Sequence, residues 1–125
     1  MHNLHYLLIN AKTPKLACLK AEEIFNDYDD LDPNCIQFIF SILGALNVND
    51  DNKVYIHKES HHWDISNFTI NEINQGLSKE FNKDVNILAD DVSQFESLPD
   101  ECGILDHSDK NSHEPKFIVV LDVMS

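Results

Sequence analysis

An α+β domain is the fold class this sequence predicts: a two-layer arrangement of about four strands in one sheet, with helices on one face. Three observations predict it. Apolar runs of strand length stand near both ends of the chain, "LHYLLIN" at 4–10 and "FIVVLDVM" at 117–124. Helical spacing of apolar residues follows the first run, and a capping-box pattern opens a second helix at 69–72. Strands and helices alternate, but the strands are few, so packing helices against one sheet buries both kinds of apolar face. The 125 residues form one domain, 1–125.

Residues 4–10 are apolar on both faces of an extended chain, which predicts a strand interior to its sheet. In "AKTP" Thr13 is placed to cap a helix, and Pro14 occupies the first helical position, where its missing N–H costs nothing. Leu16, Ala17, Ala21, Ile24, Phe25 and Tyr28 then recur as one apolar stripe. That helix ends in "NDYDDLDPN".

Residues 35–46, "CIQFIFSILGAL", fit two templates. As a helix they are capped by Asp32 and started by Pro33, with Asn34, Gln37, Ser41 and Gly44 as a narrow polar stripe. As a strand, Ile36, Phe38, Phe40 and Ile42 alternate on one face. Length favours the helix, which is the reading taken; β-branched and aromatic content favours the strand, which would give a ferredoxin-like βαββαβ order.

"NVNDDN" is a turn, and "KVYIH" at 53–57 a strand. Thr69 and Glu72 form the capping box, with Phe68 and Ile73 at the flanking apolar positions; Ile70, Ile73, Leu77 and Phe81 face the core. "VNILA" at 85–89 is predicted as a short strand, and Asp91 as the cap of a short helix through Leu98. Residues 99–116 are polar, contain two prolines and a glycine, and are predicted as a long loop.

No apolar run approaches the ~20 residues that cross a bilayer. "MHNLHYLLINAK" has no basic leader, so no signal peptide is expected. Three cysteines, Cys18, Cys35 and Cys102, are an odd number with no CxxC spacing, which predicts free thiols in a reducing cytoplasm. The formal net charge is −13, and all nine basic residues are lysine. A nucleic-acid binder needs a basic footprint, so direct contact with DNA, RNA or an anionic membrane is excluded as a role. A basic protein surface is the expected partner.

Several constellations were weighed for chemistry. "HKESHHWD" at 57–64 supplies His57, His61, His62 and Asp64 as candidate metal ligands. The i,i+4 pair shares a metal only on a helix, whereas these residues follow a strand, so the expectation is a polar loop anchored by Trp63. "DHSDKNSHE" at 106–114 matches no ligand spacing. Cys102 lies among Asp100, Glu101 and Asp106, whose charges oppose the thiolate a nucleophile needs. An EF-hand beginning at Asn47 fails, with Lys58 at its closing position and Asn52 where glycine is required. Three glycines leave no phosphate-cradling loop, and no GxSxG is present. His5 and Asp122 are expected to meet if the two terminal strands pair antiparallel.

What remains is the grouping of carboxylates: Asp27, Asp29, Asp30 and Asp32; Asp50 and Asp51; Asp90 and Asp91; Glu96, Asp100 and Glu101. Gathered on one side, they would resemble a nucleic-acid backbone. The expected function is therefore a non-enzymatic acidic protein-binding or regulatory protein, in its sharper form an inhibitor that occupies the basic groove of a nucleic-acid-handling protein. The alternative is a small metal-binding protein or enzyme using the histidine loops. No cofactor is implied. A helix at 35–46, apolar on nearly every side, would also offer a homodimer interface. Protonating all seven histidines would move the formal charge from −13 to −6, so charge-driven binding should weaken on acidification.

Overall fold

A computed structural model describes residues 2–30, 39–50, 53–96 and 102–124. The elements in chain order are β1 (His2–Asn10), α1 (Pro14–Asp30), β2 (Ile39–Asn47), β3 (Val54–Ile56), α2 (Ile70–Phe81), a 3-10 turn (Val92–Phe95), β4 (Gly103–Asp106) and β5 (Lys116–Met124). Five strands form one sheet in the order β3-β2-β5-β1-β4. Neighbours are antiparallel except β1 and β4, which run parallel.

The terminal strands behave as their composition demands. β1 and β5 pair along their whole length, His2 opposite Met124 and Asn10 opposite Lys116. Both are apolar on both faces, so each face must be covered. On one face Leu7, Ile9, Val119 and Leu121 meet Ala17, Cys18, Ala21 and Phe25 of α1. On the other, Leu4, Tyr6, Leu8, Ile118 and Val120 meet Ile70, Ile73 and Leu77 of α2. The fold is thus a mixed α+β domain of three layers, with a helix on each face of the sheet. This corrects the expectation of two layers with helices on one face, and the ferredoxin-like order with it.

The caps hold as read. Thr13 Oγ1 accepts the Leu16 N–H at 3.1 Å, and Thr69 Oγ1 accepts the Glu72 N–H at 3.2 Å. α2 closes at Asn82, which takes a left-handed φ of 53° and donates its N–H to the Ser78 carbonyl. Asp91 caps as expected, accepting from Ser93 N–H, but the element is a 3-10 turn over Val92–Phe95 with Glu96 already extended, shorter than the helix expected through Leu98; residues 97–98 lie outside the described residues. Leu16 departs from its stripe: it is 41% exposed, and Cys18 takes the buried place instead.

Three further expectations are corrected. Residues 39–47 are strand, because β5 needs a second neighbour and Ile42, Leu43, Ala45 and Leu46 feed both cores. Residues 35–38 lie outside the described residues. The apolar run is therefore covered within the sheet from Ile42 onward, which removes the helical face proposed for a homodimer. β4 arises inside the stretch expected to be loop, with Gly103–Asp106 pairing beside His5–Leu8 and raising the strand number to five. Residues 85–89 are not strand but irregular chain ending in a turn at 87–89, because α2 side chains take the N–H groups of Val85 and Ile87. Val85 N–H donates to Ser78 Oγ and Ile87 N–H to Asn74 Oδ1, both at 2.8 Å.

β2 carries a bulge, the register against β5 shifting between Ile42 and Gly44. There the chain has no room for a side chain, since a Cβ on Gly44 would run into the Tyr55 backbone carbonyl and Ile65. Gly76, on exposed α2 surface, has open space around it. Gly44→Ala should therefore cost about 1–3 kcal/mol through overpacking, while Gly76→Ala gains up to about 1 kcal/mol of helix propensity. Urea denaturation of the two variants checks this, and equal stabilities would refute the close approach at Gly44.

Candidate functional site

The histidine loop begins where β3 leaves the sheet. His57 and Lys58 both donate their N–H groups to the Leu43 carbonyl at the β2 bulge, at 2.8 and 3.1 Å. Short-range polar contacts then shape the loop. Ser60 Oγ accepts the His62 N–H at 3.2 Å, and Asp64 Oδ1 accepts from both the N–H and the hydroxyl of Ser66. Those bonds, the hydroxyl's first, hold the Asp64 carboxyl below the usual carboxylate range. Trp63 packs, half-buried, against the α2-side core, which is the anchor expected of it.

The loop reaches the opposite end of the chain. The His62 ring stacks on His2, centroids 3.6 Å apart and planes 26° from parallel. His2 Nδ1 donates to the Asp122 carboxylate, 3.0 Å from either oxygen. Asp122 itself is 7% exposed. One side chain of β1, one of β5 and one of the loop thus join at one end of the sheet. His5 does not take part, contrary to expectation. The register sets Leu4 opposite Asp122 and His5 opposite Leu121, so His5 points to the α1 face, edge-on to Phe25 at 6.5 Å. Alternation along a strand has period two, and Asp122 shares its face with His2, Leu4 and Tyr6. The flush pairing of the two strands is the signal that would have identified His2.

No metal centre follows from this geometry. Among the described residues no group of three or more His, Cys, Asp or Glu side chains is placed to hold an ion. His57 lies beside the Tyr55 ring at 6.4 Å, His61 is exposed, His62 is engaged by His2, and Asp64 by Ser66. The second histidine loop lies at the far end of β1, where His107 N–H donates to the Leu8 carbonyl at 2.8 Å and Asp109 N–H to Asn10 Oδ1 at 2.7 Å. A nine-residue strand separates the two loops, roughly 25 Å.

The two cysteines among the described residues, Cys18 and Cys102, lie where burial disfavours the thiolate. Burial pushes Cys102 up to about 11, and the charge of Glu80 adds to it; the same burial pushes Cys18 up to about 12. Tyr6 is also driven upward, by burial first and by Cys102 second.

The acidic candidates fall into separate places. Asp27 is exposed in the C-terminal part of α1, and Asp29 and Asp30 end that helix. Phe25 meets both His5 and Phe40, so this end of α1 lies beside the start of β2. Asp50 is exposed in the turn after β2, at the opposite end of the sheet. Asp90, Asp91 and Glu96 are exposed in segments that cover the α2 face. Asp91 is held below the usual range by Ser93. Asp32, Asp51, Asp100 and Glu101 lie outside the described residues. Two ion pairs form among the described residues, His2–Asp122 and Lys20–Glu114 at 3.7 Å. Neither includes any of the exposed candidates.

α1 carries its charge against its dipole. Lys15 and Lys20 lie in its first half, and Glu22, Glu23, Asp27, Asp29 and Asp30 in its second. Its first turn holds no acid and its last turn no base.

Two outcomes are expected. Asp122→Ala and His2→Ala should each destabilise the fold, with a coupling of about 1 kcal/mol in the double-mutant cycle; additivity would remove the contact from the account. Cys18 and Cys102 should resist iodoacetamide in the native protein at neutral pH and react on unfolding. Their folded pKa values lie above the ordinary 9.0, so the stability they contribute is complete below pH 9 and is lost as pH rises toward 11 and 12. Peptide mapping that finds Cys102 labelled rapidly in the native state would contradict this.

No family model, curated protein or solved structure matches this chain.

Proposed function

We propose that this chain is a non-enzymatic, acidic protein-binding protein that engages a basic protein surface, and that it acts as an inhibitor by taking the place of nucleic acid in a basic groove. The observation that carries the reading is the reversed charge of α1. Acids at a helix C-terminus face the partial negative charge of the last carbonyls, and each such placement costs roughly 0.3–1 kcal/mol. Three acids in the last turn of α1, with no lysine there, oppose the helix dipole. A local rule broken inside a fold marks a place kept for something else. A basic partner docked there would supply the missing positive charge.

The formal charge of −13 supports the same reading, because it draws cationic surfaces from a distance and speeds their encounter. The proposed docking surface centres on Asp27, Asp29 and Asp30, and Asp32 follows them in sequence. The proposed setting is the reducing cytoplasm, where the free Cys18 persists as a thiol. Among the described residues no helix is long and apolar enough to cross a membrane.

The test is capture of a partner from the native host at low salt, release with a salt step, and calorimetry of the purified pair. Binding at 1:1 should weaken steeply between low and moderate salt, and a flat response would rule the mechanism out. The triple variant Asp27→Asn, Asp29→Asn, Asp30→Asn should bind about tenfold more weakly while melting at a higher temperature. A variant that binds normally, or melts lower, would contradict the assignment to α1.

A further inference from the structure

We propose that the outer edge of β3 receives an extended, lysine- or arginine-bearing segment of the partner by strand addition. This deepens the preceding reading and rests on it. β3 ends the sheet, with β2 on its inner side and, among the described residues, no strand beyond it. A sheet edge offers unpaired N–H and C=O groups to any extended chain, which supplies affinity through the main chain.

An open cleft lies beside β3 on each face of the sheet. On the α1 side a cleft of about 320 Å³, which reaches inward to Ala45 and Phe117, is walled by Tyr55 and bears Asp50 and Lys53. On the α2 side a cleft of about 330 Å³ is walled by Ile56 and Trp63 and bears Glu59, Asp64 and Lys58. Ile56 is 44% exposed, an apolar side chain left at the edge without full cover. Successive residues of an added strand point to opposite faces, so two consecutive side chains would meet one cleft each. An aromatic or apolar wall beside a carboxylate suits a long aliphatic stem with a cationic head. The Trp63 indole nitrogen is buried with no hydrogen-bond partner among the described residues.

Charge decides between a foreign strand and a second copy. Edge-to-edge pairing of two copies brings −13 against −13 and sets Lys53 and Lys58, which bracket β3, against one another. Toward a basic segment, Asp50, Glu59 and Asp64 outnumber those two lysines, and the field of the whole chain attracts.

The experiment uses the full chain and two probes: an eight-residue arginine-rich peptide, and the same peptide N-methylated at alternate residues, which keeps the charge and removes main-chain donors. The unmodified peptide should bind, slow amide exchange at Val54–Ile56, and exceed the methylated form by about tenfold in affinity. The exposed pair Asp50→Lys, Glu59→Lys should weaken the binding of both peptides while leaving the melting curve folded and cooperative. Equal affinity for both peptides, or amide shifts confined to α1, would overturn strand addition and leave the basic-partner reading standing. Absence of binding, or binding indifferent to salt, would overturn both.

Discussion

β5 is the strand on which the other layers depend. It lies mid-sheet, paired with β1 on one side and β2 on the other, and Phe117 through Val123 are all buried. Its side chains alternate between two apolar cores, so neither face tolerates water and each demands a helix. Within that run stands one carboxylate, Asp122. A buried charge without a partner is costly, by several kcal/mol. Here both oxygens lie 3.0 Å from His2, the first described residue of β1. The same contact brings the His62 ring, and with it the octapeptide at 57–64, against the sheet. Apolar burial selects the architecture, and the single polar break in β5 ties the chain's beginning to its middle.

What could be read from the chain divides along the range of the interactions. Thr13, Thr69 and Asp91 were legible because a cap is a side chain meeting a backbone N–H two or three residues on. The terminal strands were legible because runs of seven or eight residues that are apolar on both faces admit few other structures. β4 was not, since its four residues owe their conformation to His5–Leu8, nearly a hundred residues away. β2 was misread for a related reason: length argued for helix, and only the need of β5 for a second neighbour decides otherwise. The placing of helices on both faces was already implied by the two-faced apolar pattern of 4–10 and 117–124. A two-layer fold would have left one of those faces in water.

The candidate residues show the same division. That 57–64 is a loop rather than a ligand-bearing helix followed from the strand before it, and Trp63 was recognisable as its anchor. The stacking of His62 on His2 was not, because sixty residues separate them. His5 was mistaken for the partner of Asp122 through parity alone: a one-residue difference in register sends a side chain to the opposite face. The acids were legible as exposed groups at element ends, yet their arrangement in space depends on which end of the sheet each element reaches.

That arrangement bears on how the surplus charge would act. Asp27 lies beside the start of β2 and Asp50 just past its end, a strand of nine residues, so the two are separated by roughly 25–30 Å. At physiological salt the screening length is about 8 Å. Exposed acids three screening lengths apart are not felt together by a partner already in contact, although they act jointly during approach at low salt. A continuous imitation of a nucleic-acid backbone, with one charge per ~1.7 Å of duplex axis, therefore has to be built locally. The dense run is the end of α1, where Asp27, Asp29 and Asp30 fall within one turn of helix and oppose its dipole. The edge of β3 begins at the opposite end of the sheet, beside Asp50, and would be read separately through main-chain pairing. Long-range attraction, the proposed acidic contact at α1 and the proposed strand contact at β3 would thus be three physically independent terms, and only the first scales with the total charge of −13.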